Sequence, residues 1–135
     1  MNDPTQELLA RVPITVRWRD LDAYNHVNNS TFLTYLEEAR LVWLTSIKGE
    51  WKTPEASPVL AASQVNFRAQ IEWPAAVLVE LRCTRLGNTS MTIDHRITSA
   101  DGSRLHSDGS VVMVWVNPAS GKPIPLPAAV RAACA

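Results

Sequence analysis

Residues 20–47 read DLDAYNHVNNSTFLTYLEEARLVWLTSI, a polar decapeptide followed directly by a long helical pattern. In the second part, apolar residues recur at intervals of three and four, the spacing of one helix face: Phe32, Leu36, Ala39, Trp43 and Ile47. Further apolar residues widen this stripe well beyond one narrow face. We therefore expect a long helix that the rest of the protein encloses on most sides.

Strand patterns occupy most of the remaining chain. Apolar and polar residues alternate before the decapeptide, in RVPITVRW, and four further strand patterns follow the helix, at residues 58–69, 77–86, 91–98 and 110–116. Pro13 favours an edge position for the first strand, because proline donates no hydrogen bond to a neighbouring strand. The order of strand, helix and four strands predicts an α+β fold. One helix cannot cover both faces of such a sheet, so we expect the chain to associate with copies of itself.

The length of 135 residues is that of one domain, which we expect to span residues 1–135. Residues 1–10 look like a loose lead-in that can include a helical turn near Ala10, so the expected core covers about residues 10–117. Residues 118–135 form a proline-rich tail whose last residues can form a short helix.

Composition argues against several classes of protein. Lysine plus arginine and aspartate plus glutamate number 13 each, so the basic footprint of a nucleic-acid-binding protein is missing. No segment has the roughly 18 consecutive apolar residues of a membrane span, and the first residues do not resemble a signal peptide. The two cysteines suggest no disulfide framework. A cytoplasmic protein with no membrane partner is the expectation.

The decapeptide permits two interpretations. A carboxylate between a strand and a helix is usually a turn former or helix cap, and composition alone favours that role for Asp20 and Asp22. The alternative uses the unpaired N–H groups and positive dipole of the helix start, which can polarise a carbonyl while a carboxylate attacks it or activates water. His26 is a candidate general acid–base group or a structural loop residue. The spacing of Asp20, Asp22 and His26 matches no zinc pattern, so we expect no metal.

Outside the decapeptide, few residues suggest chemistry. No serine lies in a G-x-S-x-G setting, and there is no phosphate-binding glycine motif. His95 falls on the apolar side of a strand pattern, where we expect a satisfied core or interface histidine. The tryptophans divide into three at patterned apolar positions, expected in the core, and two in loops, which can line a pocket: Trp18, Trp43 and Trp115, then Trp51 and Trp73.

Residues 16–40, VRWRDLDAYNHVNNSTFLTYLEEAR, resemble the hotdog-fold thioesterases of the 4-hydroxybenzoyl-CoA thioesterase-like group. The family pattern has an Asp-X-Asp after the first strand, then His-Val-Asn-Asn, an aromatic residue, and Glu-Glu-Ala-Arg along the helix. The later stretch TRLGNTSMTI is similar to the family's turn between the third and fourth strands. The resemblance implies a curved antiparallel sheet of about five strands wrapped around one long central helix. It also implies a homodimer with sheets joined edge to edge, often paired into a homotetramer, with active sites between subunits.

The resemblance also implies roles for single residues. Asp22 corresponds to the catalytic carboxylate, either as nucleophile or as base for water, and the backbone amide of Asn29 corresponds to the group that polarises the thioester carbonyl. His26 and Asn28 can fix the loop rather than react. The remaining substrate-binding candidates are Asn28, Phe32, Tyr35, Trp73, Arg85 and Ser90.

The turn before Ser90 departs from relatives that hold coenzyme A phosphates there with a basic run. Here the turn is GNT, with only Arg85 nearby, so other cations are candidates for that role: Arg68, Arg82, Lys122 and Arg131. A pantetheine carrier protein is an alternative thiol partner to coenzyme A.

The expected function is an acyl-CoA thioesterase that produces a free acid and coenzyme A. Coenzyme A enters as part of the substrate, and no separate cofactor is expected. Two alternatives remain open: a hotdog hydratase or dehydratase, and a non-catalytic module that binds acyl thioesters. Thiol release, enoyl-CoA absorbance and binding without turnover distinguish the three.

Overall fold

The computed structural model describes residues 8–134. Over this part of the chain the elements are β1 (Leu8–Thr15), α1 (Asn29–Ser46), β2 (Ser57–Phe67), β3 (Ala76–Leu86), β4 (Ser90–Ser99), β5 (Leu105–Val116) and α2 (Ala128–Ala133). The five strands form one antiparallel sheet in the order β1–β3–β4–β5–β2. This confirms the predicted α+β arrangement of five strands and one long helix. No helix between residues 8 and 134 is long and apolar enough to cross a membrane.

Helix α1 packs its predicted apolar stripe against the sheet. Phe32, Leu36, Ala39 and Trp43 are all buried, as their spacing predicted. Each large side chain removed from water in this way contributes about 1.5–3 kcal/mol to folding. The opposite side of α1 is open in the single chain, where Leu33, Leu41 and Val42 are exposed.

The inner face of the sheet carries the rest of the core. Alternate residues of the three inner strands are buried there, because successive side chains of a strand point to opposite faces: Val77, Val79 and Leu81 in β3, Met91, Ile93 and Ile97 in β4, and Val111, Met113 and Trp115 in β5. β1 and β2 are the edge strands. The edge position of β1 is the one that Pro13 favoured.

The core extends beyond the predicted span of residues 10–117 at both ends. Leu8 and Ala10 already belong to β1, where they pair with Arg82 and Leu81 of β3. The predicted helical turn near Ala10 is therefore wrong over the described residues, because pairing with β3 extends this segment. At the other end, the short helix α2 forms as predicted and its Val130 is fully buried.

Two further expectations meet different outcomes. Trp18 was expected in the core but is 71% exposed. Strand β1 ends at Thr15 and Val16 is the last buried residue of its pattern, after which residues Trp18–Asp20 form a 3₁₀ turn that directs the indole outward. His95 is buried on the inner face, as expected for a core histidine, but neither ring nitrogen has a hydrogen-bond partner within residues 8–134.

Candidate active site

The decapeptide folds into a closed loop between the 3₁₀ turn and α1. The Asp22 backbone N–H donates to the His26 carbonyl at 2.8 Å, and Leu21 pairs with Val27 in an isolated antiparallel bridge. Asn25 takes a left-handed conformation with φ of 62°, which asparagine tolerates better than most residues. The amide of Val27 donates to the carbonyl of Ile71 at 2.9 Å, which attaches the loop to the segment after β2. The residues thus do form a turn.

The Asp22 carboxylate is held by one of its two oxygens. Oδ1 accepts the backbone N–H of Tyr24 at 2.8 Å and that of His26 at 3.4 Å. Oδ2 has no hydrogen-bond partner within the described residues. Asp22 therefore stabilises the turn with one oxygen and keeps the other available for chemistry, so the two interpretations of the decapeptide are compatible.

The start of α1 offers an unused backbone donor. The Asn28 side chain caps the helix by accepting the Ser30 N–H at 2.9 Å, and the Asn28 carbonyl accepts the Thr31 N–H at 2.8 Å. The Asn29 N–H has no acceptor among residues 8–134. A free N–H at a helix N-terminus lies at the positive end of the helix dipole and favours a negatively charged or polarised oxygen.

Asp22 and Asn29 line the same cavity, whose volume is about 360 Å³. Its wall combines the loop and helix start with the end of β2 and the residues after it: His26, Val27, Phe32, Phe67, Arg68, Ala69 and Gln70. Phe32 and Phe67 meet edge to face, with ring centroids 5.1 Å apart. The site therefore contains a carboxylate oxygen, an amide donor and an aromatic pair, which suits a substrate with a polar reacting carbonyl and an apolar neighbour.

The sequence model of the Thioesterase-like superfamily matches residues 16–134. The chain belongs to this superfamily. It is thus a thioester hydrolase, and the predicted family is confirmed. The matched residues include the loop, the helix and every strand after it.

Three similar proteins illustrate the relationship. A solved structure from Xanthomonas campestris, provisionally assigned as an acyl-CoA thioesterase, is 49% identical and has a TM-score of 0.75, with 81% of this chain and 93% of that chain covered. A thioesterase from Thermus thermophilus, solved with coenzyme A and zinc, is 34% identical with a TM-score of 0.80, covering 94% and 92% of the two chains. The long-chain acyl-CoA thioesterase of Escherichia coli strain K12 is 27% identical over 120 residues, 87% of this chain and 91% of that protein. The hotdog fold of these relatives is also the fold of this chain.

The structure brings only some of the predicted site residues of this thioesterase together. Asp22, His26, Asn29 and Phe32 share the cavity, and Asn28 caps the helix beside it. The buried Nδ1 of His26 has no partner within the described residues, so this histidine is not paired with Asp22 through its ring.

Four predicted substrate-binding residues do not line this cavity in the single chain. Tyr35 donates its hydroxyl to Asp20 Oδ2 at 2.6 Å and lines a different cavity. Trp73 is 47% exposed in the connection between β2 and β3. Arg85 is exposed near the end of β3, and Ser90 is half-buried at the start of β4, where its carbonyl accepts the Gly87 N–H.

Arg68 and Arg131, which are two of the alternative cations, make contacts within the chain that locate them. Arg68 lines the cavity, and its guanidinium pairs with Asp108, with Nη2 to Oδ1 at 3.1 Å. Arg131 of α2 donates from Nη2 to the Gly87 carbonyl at 2.7 Å, which places it at the turn between β3 and β4. Within residues 8–134, no three His, Cys, Asp or Glu side chains are grouped so that they could hold a metal ion.

In the wall that faces the loop, the sequence analysis named only Arg68, as a candidate cation for the coenzyme A phosphates, and missed its neighbours. Phe67, Arg68, Ala69 and Gln70 lie 45 to 48 residues after Asp22 in the sequence, and the segment after β2 is held beside the loop by the bond from Val27 to Ile71. Phe67 carried a weak signal, since it was the last apolar residue of its strand pattern. Nothing in that pattern showed which element it would meet.

Proposed function

We propose that this thioesterase hydrolyses acyl-CoA thioesters in the Asp22 cavity. The observation that carries the proposal is that Asp22 and Asn29 line one cavity beside an aromatic pair, while Asp22 Oδ2 and the Asn29 N–H have no hydrogen-bond partner among residues 8–134. The acyl-CoA class is supported by the Xanthomonas and Escherichia relatives and by the coenzyme A held in the Thermus structure. Coenzyme A is the leaving group of the substrate, and no separate cofactor takes part.

In this proposal the Asn29 amide polarises the substrate carbonyl. As the acyl carbon becomes tetrahedral, its oxygen gains negative charge, and a fixed donor at the helix start stabilises that charge more than it stabilises the ground state. Removing one such donor typically costs about 10²–10³-fold in kcat. Because this donor belongs to the backbone, its position depends on the loop and the cap rather than on the Asn29 side chain.

The Asp22 carboxylate supplies the attack by one of two routes. As a nucleophile, Oδ2 bonds to the acyl carbon, the C–S bond breaks, and water then hydrolyses the mixed anhydride. As a base, Oδ2 takes a proton from a water molecule whose oxygen attacks the acyl carbon. In both routes the departing thiolate takes up a proton and leaves as the thiol.

The two routes differ in where oxygen from water can appear. In a single turnover in H₂¹⁸O, the base route places the label in the acid product. The nucleophile route can instead place it in the Asp22 carboxylate, since water can attack the anhydride on the aspartyl side. Mass spectrometry of the peptide that contains Asp22 reads the difference.

The homodimer or homotetramer implied by the family is part of the proposal. β2 is an edge strand of 11 residues, and an uncovered edge of that length is a template for pairing with another chain. Val59 and Leu60 on this strand are exposed, as is Phe67 at the cavity. Pairing of two β2 strands would cover this edge and bring the partner to the mouth of the cavity. Sedimentation that finds an active monomer at micromolar concentration would contradict this arrangement.

The test of the proposal is Asp22→Asn. The amide retains an oxygen for the Tyr24 and His26 N–H groups, so the loop should still close, but it neither attacks a thioester well nor deprotonates water. We expect kcat for thiol release to fall at least about 10²-fold, with a much smaller change in KM. Asp20→Asn is the matched control, because it makes the same chemical change two residues away, and it should keep most turnover.

Three outcomes decide between the functions considered. Wild-type activity in Asp22→Asn would refute the carboxylate mechanism. Loss of enoyl-CoA absorbance without thiol release would identify a hydratase. Binding of acyl-CoA by the wild type without any turnover would identify a non-catalytic module.

A further inference from the structure

Asp20 joins three separate segments around the catalytic loop. Its Oδ2 accepts the Tyr35 hydroxyl at 2.6 Å and the Arg17 backbone N–H at 2.9 Å. Its backbone carbonyl accepts the N–H of Asn28 at 2.9 Å. One residue therefore connects the end of the β1 segment, the far end of the loop and the second turn of α1.

Tyr35 is well suited to hold this contact. Its side chain is 4% exposed, so the ring is fixed by the core while the hydroxyl reaches Asp20 at the surface side of the helix. Burial raises the pKa of the Tyr35 phenol, and the hydrogen bond to Asp20 raises it further. The hydroxyl therefore stays protonated and remains a donor at any pH at which the enzyme would work.

The geometry points to Asp20 and Tyr35 as positioning residues for the proposed hydrolysis, which set the place of Asp22 relative to the Asn29 amide. Asp22 lies in the closed loop whose two ends are Asp20 and Asn28, and Asn29 follows directly as the first residue of α1. Acyl transfer requires both groups to meet one carbonyl at about 3 Å, and a misplacement of about 1 Å can cost 10²-fold in rate. The hydrogen bond from Tyr35 attaches the loop to α1.

Tyr35 acts in this proposal through Asp22 and not on the substrate. Its surroundings are a second cavity, which it shares with Asp20, Thr34, Glu38 and residues 13–15, and not the cavity of Asp22. Tyr35 was expected to line the acyl pocket. In this proposal it instead holds Asp20, the first acid of the Asp-X-Asp.

The experiment compares Tyr35→Phe with Ser46→Ala in the acyl-CoA thiol-release assay. The first variant removes only the hydroxyl that reaches Asp20. The second removes a hydroxyl from the same helix far from the loop, where it donates to the Trp43 carbonyl at 2.6 Å. We expect Tyr35→Phe to lower kcat about tenfold with KM within about twofold of wild type. Ser46→Ala should change melting temperature by a similar amount and leave kcat unchanged.

Two further measurements separate positioning from general stability. Hydrogen exchange at the Tyr24 and His26 amides, which bond to Asp22, should be faster in Tyr35→Phe and unchanged in Ser46→Ala. Asp20→Asn retains an oxygen that can accept the Tyr35 hydroxyl and should keep most of kcat. Asp20→Ala should lose at least as much kcat as Tyr35→Phe, and adding Tyr35→Phe to it should cause no further loss.

Two results would overturn the inference. One is a Tyr35→Phe enzyme with wild-type kcat and a lower melting temperature, which would show a purely structural role. The other is a raised KM with unchanged kcat, which would show that the phenol binds substrate. The proposed function is tested separately and fails if Asp22→Asn retains full activity. Even then, the hydrogen-exchange experiment tests whether Tyr35 holds the loop.

Discussion

The stability of the folded chain should fall as the pH drops from 7 to 5, because His95 is buried where it cannot easily take a proton. The ring is 1% exposed on the inner face of β4, and neither nitrogen has a partner among residues 8–134. Burial, and then the nearby charge of Arg40 on α1, lower the His95 pKa to about 4, although Asp108 on β5 acts in the opposite direction.

The sign and size of the effect follow from this shift. An unfolded chain protonates His95 near its ordinary pKa of about 6.5, whereas the folded chain does so only near 4. Between these values the unfolded state binds more protons, so the free energy of unfolding decreases as the pH falls. The contribution of the neutral His95 to the free energy of unfolding is fully present above about pH 6.5. About 2 kcal/mol of this contribution is lost by pH 5, and the total loss approaches about 3 kcal/mol below pH 4.

The assay is urea unfolding of the wild type and of His95→Gln at one fixed protein concentration, at pH 7, 6 and 5. Glutamine is polar and similar in size but does not titrate in this range. The wild type should lose about 2 kcal/mol more than the variant between pH 7 and pH 5. His106, whose pKa burial also lowers, is present in both proteins and does not affect the difference. Equal pH dependence in the two proteins, or a His95 ring that titrates near pH 6.5 by NMR, would refute the reasoning.

Three further changes should have distinct effects. Gly109→Ala should destabilise the fold by at least about 2 kcal/mol in thermal or urea unfolding. The added Cβ would lie 2.0 Å from the Gln64 carbonyl oxygen, and the φ of +154° at this position is one that residues with a side chain rarely adopt. An unchanged melting temperature would contradict the close approach of β5 to β2. Ala39→Glu should leave the protein insoluble or unfolded, since Ala39 is fully buried and an unpaired buried charge costs several kcal/mol; soluble, cooperatively melting protein would show that the buried face is wrong. The neighbouring thiol of Cys134 lowers the Cys83 pKa to about 7, so Cys134→Ala should slow alkylation of Cys83 by iodoacetamide at pH 7.5 about tenfold, measured by mass spectrometry. An unchanged rate would mean that the two thiols do not interact.

Local periodicity was enough to locate the main elements of this protein. One side of each element faces the core, and the apolar residues of the element lie on that side. This produces the helical spacing in residues 29–46 and the alternation around Pro13, so both can be recognised in the sequence of the element alone. The same holds for the decapeptide, because caps and turns are formed by neighbours in the chain. The expected loop with Asp22, Asn28 and Asn29 could thus be read from short-range chemistry alone.

The tertiary structure decided which groups face one another. Periodicity places Phe67 and Tyr35 on the inner sides of their elements, but not opposite Phe32 and Asp20, since those pairs depend on how strands and helix pack over long sequence separations. For Trp18 the sequence pattern was misleading, because the alternation of apolar residues continues in the sequence beyond the last residue of β1. A residue's environment is a property of the elements around it, and for that reason only the folded chain revealed the wall of the Asp22 cavity and the attachment of its loop to α1.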